Sequence, residues 1–217
     1  MKMAEAEYLE ARKRMVAEQI AARGVRDPRL LAAMESVPRH CFIAAEDLDW
    51  AYTDGPLPIG HGQTISQPYI VALMTALLEL EDTDRVLEVG TGSGYQAAVL
   101  GMLVSEVHTV ELIPELAAQA ERKLSDLGLA NVYVHVGDGS LGWPKSAPYD
   151  GILVAAAAPS APQPLLDQLV DGGRLVVPVG SRGYQKLEIW RRSGEKFDHL
   201  DGIPVAFVPL HGAHGWR

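Results

Sequence analysis

Apolar residues recur along the chain with two periods, and the switches between them predict an ordered series of helices and strands. Over residues 5–23, Leu9, Val16 and Ile20 stand among charged residues at amphipathic-helix spacing, and Gly24 ends the segment. Asp27-Pro28 supplies an N-cap and a first-position proline for a second helix, which runs to about Ser36 and stops before Pro38. The chain is then irregular from Arg39 to Phe42, where Cys41 is expected to be a small buried side chain. Tyr69 to Leu80 reads as a helix, with Pro68 at or near its first position and Ser66 or Gln67 near its start. Val86, Leu87 and Val89 form a short apolar run typical of a buried parallel strand, and Tyr95 to Leu103 resumes as an apolar helix.

The later chain repeats this alternation. Glu106 to Leu112 is a strand, Pro114 to Leu127 a helix closed by Gly128, and Asn131 to Val136 a strand ending at Gly137-Asp138-Gly139. Tyr149-Asp150 opens another buried strand, which runs into the small-residue loop Ala155 to Pro159. A short helix over Leu165 to Val170 is ended by Asp171-Gly172-Gly173, and Arg174 to Gly180 is a strand. Lys186 to Arg192, a Ser193-Gly194 turn and Ile203 to Leu210 suggest a terminal antiparallel pair. Strands alternating with helices imply an α/β fold with a parallel-dominated sheet and helices on both faces. No repeat or linker divides the chain. Residues 1–217 are therefore expected to form one domain, with a helical segment over 1–48 and a loop and α/β core over 49–217.

Composition narrows the function. The chain has 217 residues, 47% of them hydrophobic, and a formal net charge of −9. That charge, with no basic run longer than Arg12-Lys13-Arg14, argues against nucleic acid as partner, whose affinity comes largely from basic contacts to phosphates. The single cysteine cannot make an internal disulfide, no C-x-x-C pattern is present, and no metal site is expected. Charged residues from Lys2 onward leave no apolar leader, and no run approaches a membrane span. A soluble cytoplasmic protein without a membrane partner is the expectation.

The chemistry concentrates in Glu88-Val-Gly-Thr-Gly-Ser-Gly94, between the apolar strand and its helix. Glycine lets the backbone turn tightly and lets a ligand approach where a Cβ would block it. Glu111, twenty-one residues after Gly90, stands where nucleotide-binding βαβ units place the acid that hydrogen-bonds ribose hydroxyls. The spacing is G-x-G-x-G rather than the dinucleotide G-x-G-x-x-G, and an acid precedes the first glycine. A carboxylate there would repel a pyrophosphate but suits a cationic ligand, and the motif resembles the first motif of S-adenosylmethionine-dependent methyltransferases. Residues 50–68, rich in Gly, Pro and small polar groups, form a loop too long for a mere connector, the kind of segment that carries binding groups. His61 within it is expected to be a hydrogen-bonding residue.

Four segments together resemble the protein-L-isoaspartate O-methyltransferase family. They are Pro56 to Pro68, Gly90 to Gln96, Tyr149-Asp150 through Ala155-Ala-Ala-Ala-Pro159, and Gly172 to Gly180; the ending Phe207-Val-Pro-Leu210 also fits. Gln63-Thr64-Ile65-Ser66 is the discriminating piece, because the glycine motif is shared by many methyltransferases. The resemblance implies a Rossmann-like methyltransferase core with a rearranged strand order at its C-terminal end. It also implies S-adenosylmethionine as cofactor, S-adenosylhomocysteine as product and isoaspartyl proteins and peptides as partners, with a monomer expected. Carried over residue by residue, it makes Ser66 the active-site serine and Gln63, Thr64 and Ile65 the lining of a cofactor-and-substrate loop. Glu88 with Gly90, Thr91, Gly92 and Gly94 would hold the methionine end of the cofactor. Glu111 would take the ribose side and Asp138 with Gly139 the adenine side, Leu112 would also bind the cofactor, and His211 would approach the substrate.

The implied reaction suits the residue inventory. An isoaspartyl residue leaves its α-carboxyl free, and such a group, with a pKa of roughly 3.5, is already an anion near neutral pH. No general base is then needed, which fits a loop of hydroxyls without an acid–base dyad. The alternatives are a methyltransferase of another acceptor class, such as a small molecule, and a non-catalytic S-adenosylmethionine-binding protein on the same fold.

Overall fold

The structure, a computed structural model, describes residues 5–181 and 183–216. Strands β1 (Leu57–Gly60) and β2 (Gln63–Ile65) form a separate antiparallel hairpin. Strands β3 (Arg85–Val89), β4 (Glu106–Glu111), β5 (Val132–Val136), β6 (Tyr149–Val154), β7 (Leu169–Ser181), β8 (Tyr184–Ser193) and β9 (Lys196–Val205) make the central sheet, in the order β5-β4-β3-β6-β7-β8-β9. β3 to β7 are mutually parallel, and β8 and β9 return antiparallel. The chain winds outward from β3 to β5, then crosses to β6 on the other side of β3. That reversal leaves a crevice at the carboxyl ends of β3 and β6, where open α/β sheets bind ligands.

The strands are apolar on both faces because both faces are covered. Successive side chains point to opposite sides, so Val86 and Leu153 join one layer while Leu87, Ile152 and Val154 join the other. Helices α1 (Glu5–Arg14), α2 (Pro28–Ser36), α3 (Pro68–Leu77), α4 (Tyr95–Gly101), α5 (Pro114–Asp126) and α6 (Gln163–Leu166) pack around the sheet. The first layer takes Met15, Met34, Met74 and Leu100 from the helical side, so the N-terminal segment shares a core with the sheet. The second layer is closed largely by the single turn of α6, through Leu165 and Leu166. Helical cover is therefore present on both faces, but unequally.

Several local expectations are corrected. The first helix is not regular: α1 gives way to a π-helical stretch, Met15–Ile20, and a 3₁₀ turn, Ala21–Arg23, before Gly24. The wider winding turns the buried face onto Tyr8, Arg12, Met15, Val16 and Ile20, and Leu9 is left exposed. Cys41 is exposed too, because the 3₁₀ turn Arg39–Phe42 spends its inward positions on Arg39 and Phe42. The helix after the loop ends at Leu77 rather than Leu80, since Glu79 adopts a positive φ. β7 begins at Leu169 and absorbs Asp171-Gly172-Gly173 as a bulge, because Tyr149 pairs with Leu169 but Gly151 with Arg174. The terminal pair is β8–β9, with Ser193 opposite Lys196, so it starts earlier than Ile203. From Ala206 the chain leaves the sheet and runs beside Ala157. The Asp27 cap is as expected: its side chain accepts from the Arg29 amide at 2.8 Å.

Candidate active site

At the end of β3 the chain turns through Gly90, Gly92 and Gly94, all with positive φ. Gly94, at φ 91°, needs its bare backbone twice over, since a Cβ there would also meet the Ala120 Cβ of α5 at 3.1 Å. The neighbouring strand fixes this turn. Glu111, the last residue of β4, accepts from the Gly92 amide at 2.8 Å and from the Ile113 amide at 3.0 Å.

Glu88 is treated differently. It is fully buried in β3, in register with Thr109 of β4. Its Oε2 accepts from the Thr109 hydroxyl, whose oxygen lies 2.6 Å from that of Thr91. Its Oε1 has no hydrogen-bond partner among the described residues. Burial pushes the Glu88 carboxyl up to about 8, with the Thr109 hydrogen bond opposing the shift and the nearby Glu111 charge adding to it. A desolvated carboxylate with an open lone pair is stabilised by a hydrogen-bonding cation.

Glu88, Glu111 and the glycine turn line one side of a cavity of about 630 Å³, and Gln63 to Ser66 of the hairpin line the other. A second cavity, of about 940 Å³, shares Thr64, Ser66, Ala155, Phe207 and Val208 with the first and extends to Gln67, Ile70 and Pro204. No Asp, Glu, His, Lys or Arg stands among the described residues lining this second space. A third hollow continues past Gln63 and Gly90 to Leu112, Gly139 and His211. A Cβ at Gly139 would lie 2.6 Å from Val89 Cγ1, so only glycine fits between the turn and β3.

The structure thus brings Gln63, Thr64, Ile65, Ser66, Glu88, Gly90, Thr91, Gly92 and Glu111 around one space, with Gly94 closing the turn behind them. Leu112, Gly139 and His211 lie along the adjoining hollow, so His211 is nearer the Gly139 side than to Ser66. Asp138 points elsewhere. Its carboxylate accepts from the Ser140 amide and hydroxyl at 2.9 and 2.6 Å and from the Ala213 amide at 2.7 Å. Burial alone would raise its pKa, but these hydrogen bonds prevail and hold it below the usual carboxylate range.

Ser66 does not cap α3. The N-cap is Gln67, without a side-chain cap bond, and Ser66 faces the two main cavities instead. The long loop is also more ordered than its composition suggests, since β1 and β2 occupy much of it. His61 and Gly62 turn the hairpin with φ of 53° and 70°, the positive pair of a tight hairpin turn, and His61 is exposed at its tip. Thr109 was missed as a site residue. Its signal was the parallel register that sets it beside Glu88.

A cavity at the reversal point of a parallel-dominated sheet with an antiparallel edge, beside an acid-flanked glycine turn, fits the Rossmann-like methyltransferase class. The chain belongs to the protein-L-isoaspartate(D-aspartate) O-methyltransferase family, whose profile matches residues 10–215. It is 57% identical over 208 residues to the protein-L-isoaspartate O-methyltransferase of Methanoregula boonei, covering 95% of each chain. The Trichlorobacter lovleyi enzyme of the same name is 55% identical, with 95% of this chain and 96% of the relative covered. A solved protein-L-isoaspartate O-methyltransferase superposes with a TM-score of 0.87 at 29% identity, covering 94% of this chain and 67% of the other. A Plasmodium falciparum structure, described as a putative protein-L-isoaspartate O-methyltransferase in complex with S-adenosyl-L-homocysteine, shares the fold at 24% identity. Its TM-score is 0.80, with 92% of this chain and 98% of the other covered.

Proposed function

We propose that the protein transfers a methyl group from S-adenosylmethionine to the free α-carboxyl of L-isoaspartyl residues in damaged proteins and peptides. The observation that carries this reading is the junction of the two main cavities at Thr64 and Ser66, one lined by Glu88 and Glu111 and the other without charged groups among the described residues. Glu88 supports the cofactor: its open, buried Oε1 suits the ammonium of a methionine moiety. Glu111 would accept from ribose hydroxyls with its remaining lone pairs, and Leu112 and Gly139 would wall the adenine. When bound, the cofactor supplies an electrophilic methyl on a sulfonium.

The chain's own residues have to bind and orient. The acceptor is already a carboxylate, so the lining of Ser66, Thr64 and Gln67 has no proton to remove. Alignment of reactants alone can supply roughly 7–11 kcal/mol of the barrier. Phe207, Val208 and Ala155 give the shared wall an apolar surface beside the junction. We take the protein to act as a single-domain monomer. A net charge of −9 supports polypeptide rather than nucleic-acid acceptors. Among the described residues no helix is long and apolar enough to cross a membrane, and we take the cytoplasm as the site of action. The test is methyl incorporation from labelled S-adenosylmethionine into matched peptides. The isoaspartyl peptide should be labelled and its aspartyl twin left nearly untouched; equal labelling, or none, would sink the proposal.

A further inference from the structure

The side chains of Gln63, Thr64 and Ser66 line the cavities and make no hydrogen bond to any described residue. On the inner side Ile65 anchors the segment in the core, but its polar lining side chains are not held there by hydrogen bonds. Its outer side is fastened. Gln67, next to Ser66, donates its Nε2 to Asp54 Oδ1 at 2.8 Å and to the Asp54 carbonyl at 3.3 Å. Asp54 Oδ2 accepts from Arg23 Nη1 at 3.1 Å. The Arg23 guanidinium also lies 3.5 Å from the centre of the Tyr69 ring, in the first turn of α3. One carboxylate thus closes the span from residue 54 to residue 67 that enters and leaves the hairpin, and ties it to Arg23 at the end of the first helical stretch. This also accounts for a helix N-cap whose side chain caps nothing: the Gln67 amide is turned outward to Asp54.

We infer that Asp54 is a positioning residue for the acceptor, holding Ser66 and the Gln67 wall of the second cavity through the Gln67 amide. The inference rests on the function proposed above. Misplacement of reacting groups by about 1 Å can cost about a hundred-fold in rate, even when the change lies away from the chemistry. Asp54 is partly exposed, so its contribution to overall stability should be small. Its effect should appear in alignment instead.

The test compares wild type, Asp54→Ala and Asp54→Asn. Asparagine keeps an oxygen for Gln67 but loses the charge that faces Arg23. Asp54→Ala should lower kcat on an isoaspartyl peptide by about five- to a hundred-fold, with melting temperature and S-adenosylhomocysteine affinity close to wild type. Asp54→Asn should restore most of the turnover. Amide hydrogen exchange over residues 63–67 should quicken in the alanine variant alone. Normal turnover and exchange in Asp54→Ala would overturn the inference, and so would parallel losses of melting temperature and S-adenosylhomocysteine binding. Wild type that labels no isoaspartyl peptide would sink the proposed function instead, and the exchange rates would still decide whether Asp54 fixes the loop.

Discussion

The two walls of the first cavity are built on opposite plans. On the β3–β4 side, polar groups are consumed within the protein: Glu111 holds two amides, and Thr91 and Thr109 are linked in front of Glu88. Among the described residues Glu88 Oε1 is buried there without any partner. On the hairpin side the lining groups Gln63, Thr64 and Ser66 are all uncommitted. A wall finished before the ligand arrives suits a ligand that never varies. A wall with spare hydroxyls and amides, whose polar side chains are not tied to the rest of the protein, suits acceptors that share one carboxylate but differ in everything around it. Preorganisation is concentrated where the partner is constant.

The most severe way to break this contrast is to neutralise that buried, unpartnered group. Glu88→Gln keeps the shape of the side chain and removes its charge. Loss of a buried charged partner costs about 2–5 kcal/mol, so calorimetric titration should show S-adenosylhomocysteine binding weakened by at least tens-fold. The pH dependence sharpens the same point. With its pKa raised to about 8 from an ordinary 4.5, the empty protein holds a proton on Glu88 at neutral pH. The folded state then binds more protons than the unfolded one between those values, so this group's contribution to stability declines as pH rises from about 4.5 to about 8. Binding of a ligand ammonium favours the ionised form. Affinity should therefore increase between pH 6 and 8, with proton release visible in buffers of different ionisation enthalpy. Both effects should vanish in Glu88→Gln, and a pH-independent wild type would show that Glu88 does not meet the ligand's charge.

A smaller effect is expected on the other wall. Because Ser66 does not cap α3, Ser66→Ala should leave the melting temperature nearly unchanged. Turnover should fall roughly ten- to a hundred-fold, the equivalent of one charged hydrogen bond of about 1.5–3 kcal/mol. A lower melting point with normal turnover would return Ser66 to a structural role. The smallest effect belongs to Asp138, whose carboxylate is committed to Ser140 and Ala213. Asp138→Asn should change S-adenosylhomocysteine affinity by less than about 1 kcal/mol, a single neutral hydrogen bond at most, while amide exchange near Ala213 quickens. A large loss of affinity would place Asp138 at the ligand after all.

Sequence carried the glycine turn well, because strand, turn and helix there are each written in contiguous residues. It carried Glu88 as an acid suited to a cation, but not its isolation, which depends on Thr109 arriving from another strand. The hairpin hid behind its own composition: prolines and glycines that usually mark irregular chain here shape β1, β2 and their turn. Leu9 and Cys41 were misplaced because a π-helical stretch and a 3₁₀ turn rotate the buried face in ways that a 3.6-residue period does not express. The β7 bulge escaped for a related reason. Asp171-Gly172-Gly173 reads locally as a stop, and only pairing with β6 shows that the strand continues through it.

The position of β9 at the rim of the sheet has a consequence for a protein whose customers are worn polypeptides. Such chains expose unpaired backbone, and an open strand edge is a template on which they could zip up and aggregate. Along β9 that hazard is countered by Lys196, Asp198 and Asp201, by Pro204, which offers no amide, and by an irregular register opposite Lys186 and Glu188. The charges, the proline and the broken register thus offset the exposed Leu200 and Ile203 on the same strand, beside a cavity shaped to receive such chains.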